Sequence, residues 1–183
     1  MQSFEQALEQ GKVGESLISQ WLIRRGVHIL PAYEKVIDDH KGPVLFSFDE
    51  LLVAPDLLCF NTGEQKIFWV EAKNKSAFAW NRSRRIWTTG IDSHHFSQYL
   101  KVRRLLGLPI YLMFLQRGGQ AKDSPVTSPT GLYGGEILAL SKRINHTYDG
   151  KNNYGTGGMT YWGIDDLVKY AELDEVLEVT IQF

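Results

Sequence analysis

The feature that most constrains this chain is a pair of apolar runs carrying charges at matching distances from a turn. The first run, Leu51 to Phe60, contains Pro55-Asp56. The turn-forming Asn61-Thr62-Gly63-Glu64 follows, and the second run, Ile67-Phe68-Trp69-Val70, leads into Glu71-Ala72-Lys73. Two short β-favouring runs around a Gly-containing turn predict a hairpin. With Gly63-Glu64 as a two-residue type II′ loop, Thr62 pairs with Gln65, Phe60 with Ile67, Leu58 with Trp69 and Asp56 with Glu71. A bulged Asn61-Thr62-Gly63 turn would shift the register by one and undo the last pairing.

That pairing has chemical consequences. Directly opposite residues hold their Cβ atoms about 4.5–5.5 Å apart. Two carboxylates that close repel unless a cation lies between them, and oxygen ligands at that separation suit Mg²⁺, which keeps waters and also takes substrate phosphate. Lys73, two residues after Glu71, points to the same face of its strand. There its ammonium can stabilise charge on a phosphate or orient a water. Asp at a strand start and Glu-x-Lys on a strand are common as solvated residues. Here Asp56 lies between Val53-Ala54-Pro55 and Leu57-Leu58, and Glu71 follows four apolar residues. Charges set against apolar runs on both strands favour a functional site, because buried charges are rarely left unpaired.

The rest of the chain alternates helix and strand, an α/β pattern. Val13, Leu17, Ile18, Trp21 and Leu22 recur at helical spacing and predict a helix over 3–25 that Gly26 stops, with Gly11 and Gly14 weakening its first half. A strand is expected over 27–37, a polar and aromatic loop over 77–91, and a helix over 92–107. Asp92 or Ser93 would cap that helix, and Gly107-Leu108-Pro109 would end it. Ile110 to Leu115 reads as a buried strand and 116–131 as a mobile excursion. Strand is expected near 133–140, a Gly/Asn-rich loop at 149–158, a short helix near 164–171 and a terminal strand near 177–182. No internal repeat is visible, and residues 1–183 are read as one domain.

Composition narrows the function classes. The chain has 183 residues, 43% of them apolar, and a net charge of −1. The single cysteine, Cys59, excludes an internal disulfide framework and a multi-cysteine zinc site, and is expected as a small buried hydrophobe. Neither a membrane-spanning run nor a signal-like start is present, so a cytoplasmic protein with no membrane partner is expected. The near-neutral total conceals a basic middle. Between Lys66 and Arg104, nine basic residues face only Glu71 and Asp92, a local charge of +7 that leaves −8 elsewhere. Within this window Phe78, Trp80, Arg82, Arg84, Arg85 and Trp87 interleave aromatics with arginines, a pattern suited to nucleic acid because guanidinium neutralises phosphate while indole stacks on bases. Lys75, Trp80, Arg82, Arg84, Arg85, Trp87 and Lys101 are therefore candidate nucleic-acid contacts. His94, Gln98 and Lys101 share one helix face, whereas His94 and His95 diverge by about 100° and cannot both chelate one ion.

At Pro55-Asp56 and Glu71-Ala72-Lys73 the chain resembles the PD-(D/E)XK nuclease superfamily, which includes type II restriction enzymes and Holliday-junction resolvases. The resemblance covers roughly residues 8–115, in the order helix with Glu, hairpin with the motif, helix and strand. It implies a restriction-endonuclease-like mixed central sheet flanked by helices, and a metal-dependent nuclease cleaving phosphodiesters. Asp56 and Glu71 would hold Mg²⁺ (Mn²⁺ substituting), the Ala72 carbonyl would join them, and Lys73 would assist the attacking water. Glu15 matches the helix carboxylate that many members add to the metal site; by residue geometry it lies about 20° around the helix from Leu22, on the shoulder of the apolar stripe. Gln98 matches a helix glutamine of resolvase-like members, but the tyrosine sometimes found shortly after it is not matched, since position 102 is Val102. DNA is expected over RNA, and a homodimer is left open. The alternative is a catalytically inactive nuclease-fold module that binds nucleic acid or a protein.

Overall fold

In the computed structural model, residues 4–32, 43–151 and 157–178 are described. The chain begins with helix α1 (Phe4–Ile23), followed by β1 (Val27–Pro31), β2 (Val44–Phe46), β3 (Leu51–Val53), β4 (Leu57–Asn61) and β5 (Lys66–Lys75). Next come β6 (Ala79–Asn81), β7 (Ile86–Asp92), α2 (Ser93–Leu106), β8 (Ile110–Gln116), β9 (Gly131–Glu136) and α3 (Ile137–Ser141). The chain continues through β10 (His146–Lys151), β11 (Gly157–Gly163), a 3₁₀ turn at Ile164–Asp166, β12 (Val168–Ala171) and α4 (Leu173–Leu177).

Among the described residues the central sheet has six strands in the order β1-β4-β5-β8-β9-β12. Only β5 and β8 pair in parallel; every other neighbouring pair is antiparallel. The parallel pair needs a crossover, and β6, β7 and α2 supply it. Strand β8 shows why the sheet is covered on both faces. Its Met113 and Leu115 pack with Leu17, Ile18, Trp21 and Leu22 of α1. Its Ile110, Leu112 and Phe114 point the other way, towards Phe96, Tyr99 and Val102 of α2 and Trp162 of β11. Buried on both faces, the strand is a continuous apolar run rather than an alternating one.

The hairpin register is the one expected: Leu58 pairs with Trp69 and Phe60 with Ile67. The turn differs. Asn61 pairs with Lys66, so the loop is the four residues 62–65. Asn61 Oδ1 accepts from the Glu64 N–H at 3.1 Å, and Gln65, not Gly63, takes the positive φ of 53°. Lengthening a two-residue loop by one residue on each side leaves every facing pair unchanged, which is why the register survives the wrong turn type.

Helix α1 runs unbroken through Gly14, where a Cβ would lie 2.3 Å from that of Asn74; glycine lets the helix cross β5 closely. Helix α2 is bounded as expected. Asp92 Oδ1 accepts from the His94 and His95 N–H groups (2.8 and 3.4 Å), and Gly107 closes the helix in the left-handed region at φ 70°.

The clearest departures lie after residue 76. The stretch 77–91 is not a loop but the β6–β7 hairpin, part of a second sheet ordered β10-β11-β7-β6. The strand expected to span 133–140 turns helical at Ile137, where Glu136 caps α3. Part of the 149–158 stretch is strand, and residues 164–171 are a 3₁₀ turn and β12 rather than a helix. Position 177 ends α4, Glu178 follows it as the C-cap, and 179–182 of the expected terminal strand lie outside the described residues, as does most of 32–37. The 116–131 excursion is tied down: Arg117 N–H bonds Lys75 O (2.9 Å), Gly119 N–H bonds Ser76 O (2.8 Å), and Ser128 Oγ accepts from Phe78 N–H (2.9 Å).

Candidate active site

The site forms where β4 begins and β5 emerges past it. Leu57 pairs with Val70, so Asp56, one residue outside the ladder, is level with Glu71. Val70 and Ala72 face α1, and alternation turns Glu71 and Lys73 to the face covered by α2. Asp56 is fixed by the backbone of the facing strand: its Oδ2 accepts from the Ala72 N–H at 2.8 Å, and its own carbonyl accepts from Ala32 N–H at 2.8 Å.

Glu71 is fully buried. Neither of its oxygens has a hydrogen-bond partner of good geometry, and its charge is met by the Lys73 ammonium set close against Oε1. The Lys73 side chain itself keeps 31% of its surface, so the ammonium stands at the mouth of the site with the glutamate behind it. Burial, and then the neighbouring Glu71, push the Asp56 carboxyl up to about 7. Glu15, reaching in from α1, is also raised, first by burial and then by Asp56, with Lys73 and Lys12 opposing. Burial works against the Lys73 ammonium, but Glu71, Asp56 and Glu15 outweigh it and hold it protonated above the ordinary lysine range. At Lys75, one pleat further on, the compensation falls short: burial and the Lys73 charge outweigh Glu71 and lower it to about 8.

Glu15, Asp56, Glu71 and Lys73 are thus brought within electrostatic reach of one another, and Lys75 joins them at the edge. Two helix residues belong here: Tyr99, which the sequence did not single out, and His95, which it set aside together with His94. Tyr99 is 2% exposed, and its hydroxyl faces Glu71; burial, then Glu71 and Asp56, raise its pKa well above the ordinary phenol range. His95 lies against Tyr99, ring centroids 5.9 Å apart, and is lowered by burial and by Lys73. Positions 95 and 99 lie one turn apart on α2, but nothing local in the sequence says which strand that face meets. Gln98 is half-buried, with Oε1 enclosed and lacking a hydrogen-bond partner.

The nucleic-acid candidates of the basic middle are dispersed. Trp80 and Trp87 are cross-strand partners on β6–β7, in edge contact at 4.9 Å. Arg82 is ion-paired with Asp123, Arg84 donates to the Asn145 carbonyl at 2.8 Å, and Lys101 meets Glu50 at 2.7 Å. Arg85 is exposed at φ 54° in the same hairpin turn. Cys59 is fully buried, as expected of a small hydrophobe.

Among the described residues no group of three His, Cys, Asp or Glu side chains converges tightly enough to hold a metal ion alone. The donor set present still fits a hard cation that keeps several waters. Two carboxylates are level with each other across the hairpin, and the single Lys73 ammonium beside them does not offset the burial and mutual repulsion that hold the Asp56 proton up to about 7.

No protein-family model and no curated protein sequence matches the chain. Among solved structures it is similar to Hjc of Archaeoglobus fulgidus, a Holliday junction resolvase from an archaeal hyperthermophile, with a TM-score of 0.50 and 9% identity over 91% of this chain and 99% of that one. No helix among the described residues is long and apolar enough to cross a membrane. At 9% identity the likeness is one of fold: the chain has a resolvase-like, restriction-endonuclease-like mixed sheet flanked by helices.

Proposed function

We propose that the protein is a metal-dependent nuclease that hydrolyses DNA phosphodiesters at the Asp56–Glu71–Lys73 corner. The observation that supports this best is Glu71, a fully buried carboxylate set against the Lys73 ammonium and level with a second carboxylate, Asp56, whose proton is held up to about 7. Asp56 and Glu71, with Glu15 beside them and the Ala72 carbonyl on the same strand, would hold Mg²⁺ or Mn²⁺. When bound, the ion would polarise the scissile phosphate and acidify a coordinated water. Lys73 would stay a cation throughout, so its role is to orient the water and stabilise developing phosphate charge rather than to remove a proton. Tyr99 borders Glu71 and limits where that carboxylate can turn. The basic middle of the sequence would draw in the polyanion, and the resolvase fold favours DNA over RNA.

The test is incubation with linear and circular DNA and with RNA, in Mg²⁺, Mn²⁺ or chelator. Cleavage should require metal and fall at least about 10²–10³-fold in Asp56→Ala, Glu71→Ala and Lys73→Ala, while Lys73→Ala still binds substrate. Full activity in the first two variants would refute the assignment. A readout without substrate is the melting temperature: Mg²⁺ should raise it in the unaltered protein, because a ligand of the folded state stabilises it, and much less in Asp56→Asn.

A further inference from the structure

The second sheet carries an aromatic arrangement on its outer face that the catalytic corner does not use. His146 on β10 and Tyr161 on β11 are cross-strand partners, and their rings are parallel within 5° with centroids 4.6 Å apart. We propose that this ring column is a stacking site for an unpaired base of a nucleic-acid strand, with Arg84 placed to meet an adjoining phosphate.

The column is open on one side only. Tyr161 pairs with Gly90 of β7, and it leans into the space a side chain would take there: a Cβ on Gly90 would come within 2.9 Å of the tyrosine ring and 2.3 Å of the Thr160 carbonyl oxygen. That glycine closes the inner end of the stack. At the outer end stands His146, on the terminal strand of the sheet as described, so no neighbouring strand supplies a side chain to cover its far face. A planar base laid on His146 would continue the column as its third ring, the geometry in which base–aromatic stacking works for any base.

The histidine is held in place rather than left to rotate. Its Nδ1 is 2.9 Å from Asn145 Oδ1, the Asn145 N–H donates to the Tyr161 carbonyl at 2.8 Å, and Arg84 Nη1 donates to the Asn145 carbonyl at 2.8 Å. Asn145 therefore ties the imidazole, the tyrosine strand and the guanidinium into one unit. Arg84 has further N–H donors beyond the one it spends on this carbonyl. Exposed Lys142 and Arg143 precede Asn145 and His146 in the chain, just past the end of α3. The acids of the flanking segments are Asp149, next to the exposed Tyr148, and Asp165 and Asp166, of which Asp166 is engaged with the Gly163 N–H at 3.2 Å. Burial and Arg84 lower the His146 pKa, so the ring is neutral at pH 7 and stacks without adding charge.

The column and the catalytic corner lie on different surfaces. Tyr161 alternates with Thr160 and Trp162, which turn to the other face of the sheet, where Trp162 packs on α2 and Thr160 Oγ1 lies 2.9 Å from Ser93 Oγ. The stacking site therefore does not rest on the nuclease assignment.

The test therefore measures binding in EDTA, where cleavage plays no part. The probes are a fluorescein-labelled single-stranded oligodeoxynucleotide and a blunt duplex of the same length. His146→Ala and Tyr161→Ala should each weaken single-strand binding about 5- to 100-fold, with much less change for the duplex. His146→Phe and Tyr161→Phe keep a ring and should bind as the unaltered protein does. A 2-aminopurine in the single strand should lose fluorescence on binding, and keep it in His146→Ala. Unchanged affinity in both alanine variants, or an equal loss for single strand and duplex, would overturn the proposal. So would displacement of the oligonucleotide by a mononucleotide at equal concentration, which would mark a small-molecule site. If the single-strand results hold while no metal supports cleavage, the nuclease assignment fails and the stacking site stands.

Discussion

The carboxylate corner of the central sheet and the second sheet both bury polar groups, and they treat them differently. In the second sheet the buried hydroxyls are engaged: Thr88 Oγ1 with the Ala79 carbonyl (3.3 Å), Thr89 Oγ1 with Gln116 Nε2 (3.0 Å) and Thr160 Oγ1 with Ser93 (2.9 Å). The indole of Trp162 donates to the Leu140 carbonyl at 2.9 Å. At the corner, Asp92 Oδ2 and Gln98 Oε1 are enclosed without hydrogen-bond partners, and Glu71 is buried beside a second carboxylate with one ammonium set against it. A buried polar group left unmade costs about 1–3 kcal/mol, so a fold assembles several in one place only where something else compensates. The second sheet holds the fold together; the corner is held by it, at a cost in stability that ligand binding would repay.

The largest expected effect tests the first half of that contrast. Trp162 is fully buried, in edge contact with Phe96 of α2 at 5.2 Å and near Phe114 of β8 at 6.2 Å. Trp162→Ala should lower the free energy of unfolding by about 3–5 kcal/mol, read by denaturant titration. A loss under about 1 kcal/mol would mean that the second sheet is an appendage and not a support.

The second effect has the opposite sign. Asp56 is lifted from an ordinary 3.8 to about 7, so the folded chain keeps a proton that the unfolded chain releases. Stability from this group is therefore unaffected below about pH 4, declines as pH rises towards 7, and stays reduced above it. Asp56→Asn keeps the volume and an acceptor for the Ala72 N–H while removing the charge. It should be more stable than the parent by roughly 1–3 kcal/mol at pH 8, with the gain vanishing at pH 4. Thermal melts at the two pH values decide it; an aspartate whose loss destabilises at both would be structural, and the corner would then not differ from the second sheet.

How much of this was legible in the sequence follows the same division. The hairpin register depends on counting outward from a turn, and symmetric lengthening of the turn does not disturb it, so Asp56 and Glu71 could be set level without coordinates. The bounds of α2 were written in Asp92 and Gly107, whose roles are local. The second sheet was not legible. Trp87-Thr88-Thr89-Gly90-Ile91 is strand only because β11 arrives from about seventy residues away to pair with it, and local composition, arginines among polar and aromatic residues, argues for a loop. The same non-local pairing joins His146, Tyr161 and Arg84, so the stacking column had no sequence signature, whereas the Trp–Arg pattern that did have one turned out to be a hairpin whose tryptophans pack on each other. Tyr99 was missed for a different reason: it lies within a well-predicted helix, but its contact with Glu71 depends on how α2 crosses β5.

A third effect concerns the residue that joins the two regions. Asp92 pairs with Met159 of β11 and caps α2 through Oδ1, while its Oδ2 is enclosed. Asp92→Ala should cost about 1 kcal/mol, the ordinary value of a lost N-cap. If α2 also aims His95 and Tyr99 at the corner, then Asp92→Ala should shift the metal-dependent melting response as well as basal stability, and Asp92→Asn should restore the first more than the second. Equal recovery of both would reduce Asp92 to a cap.

The smallest expected effect sharpens what the surface arginines do. Arg82 and Asp123 form an ion pair with side chains 66% and 41% exposed, and pairs so solvated contribute about 0–1 kcal/mol. Arg82→Ala should leave unfolding within about 0.5 kcal/mol of the parent. Arg84→Ala is the informative partner, because its guanidinium bonds the Asn145 carbonyl that orders the start of β10. The two substitutions remove the same charge from the same turn, so a difference in their binding to a single strand reports position and not net charge. Each lost phosphate contact should flatten the plot of log affinity against log salt by roughly 0.7 for a single strand. We expect that flattening for Arg84→Ala and little for Arg82→Ala, whose charge is already spent on Asp123. Identical slopes for the two would place neither arginine at a phosphate and leave the second sheet as scaffold alone.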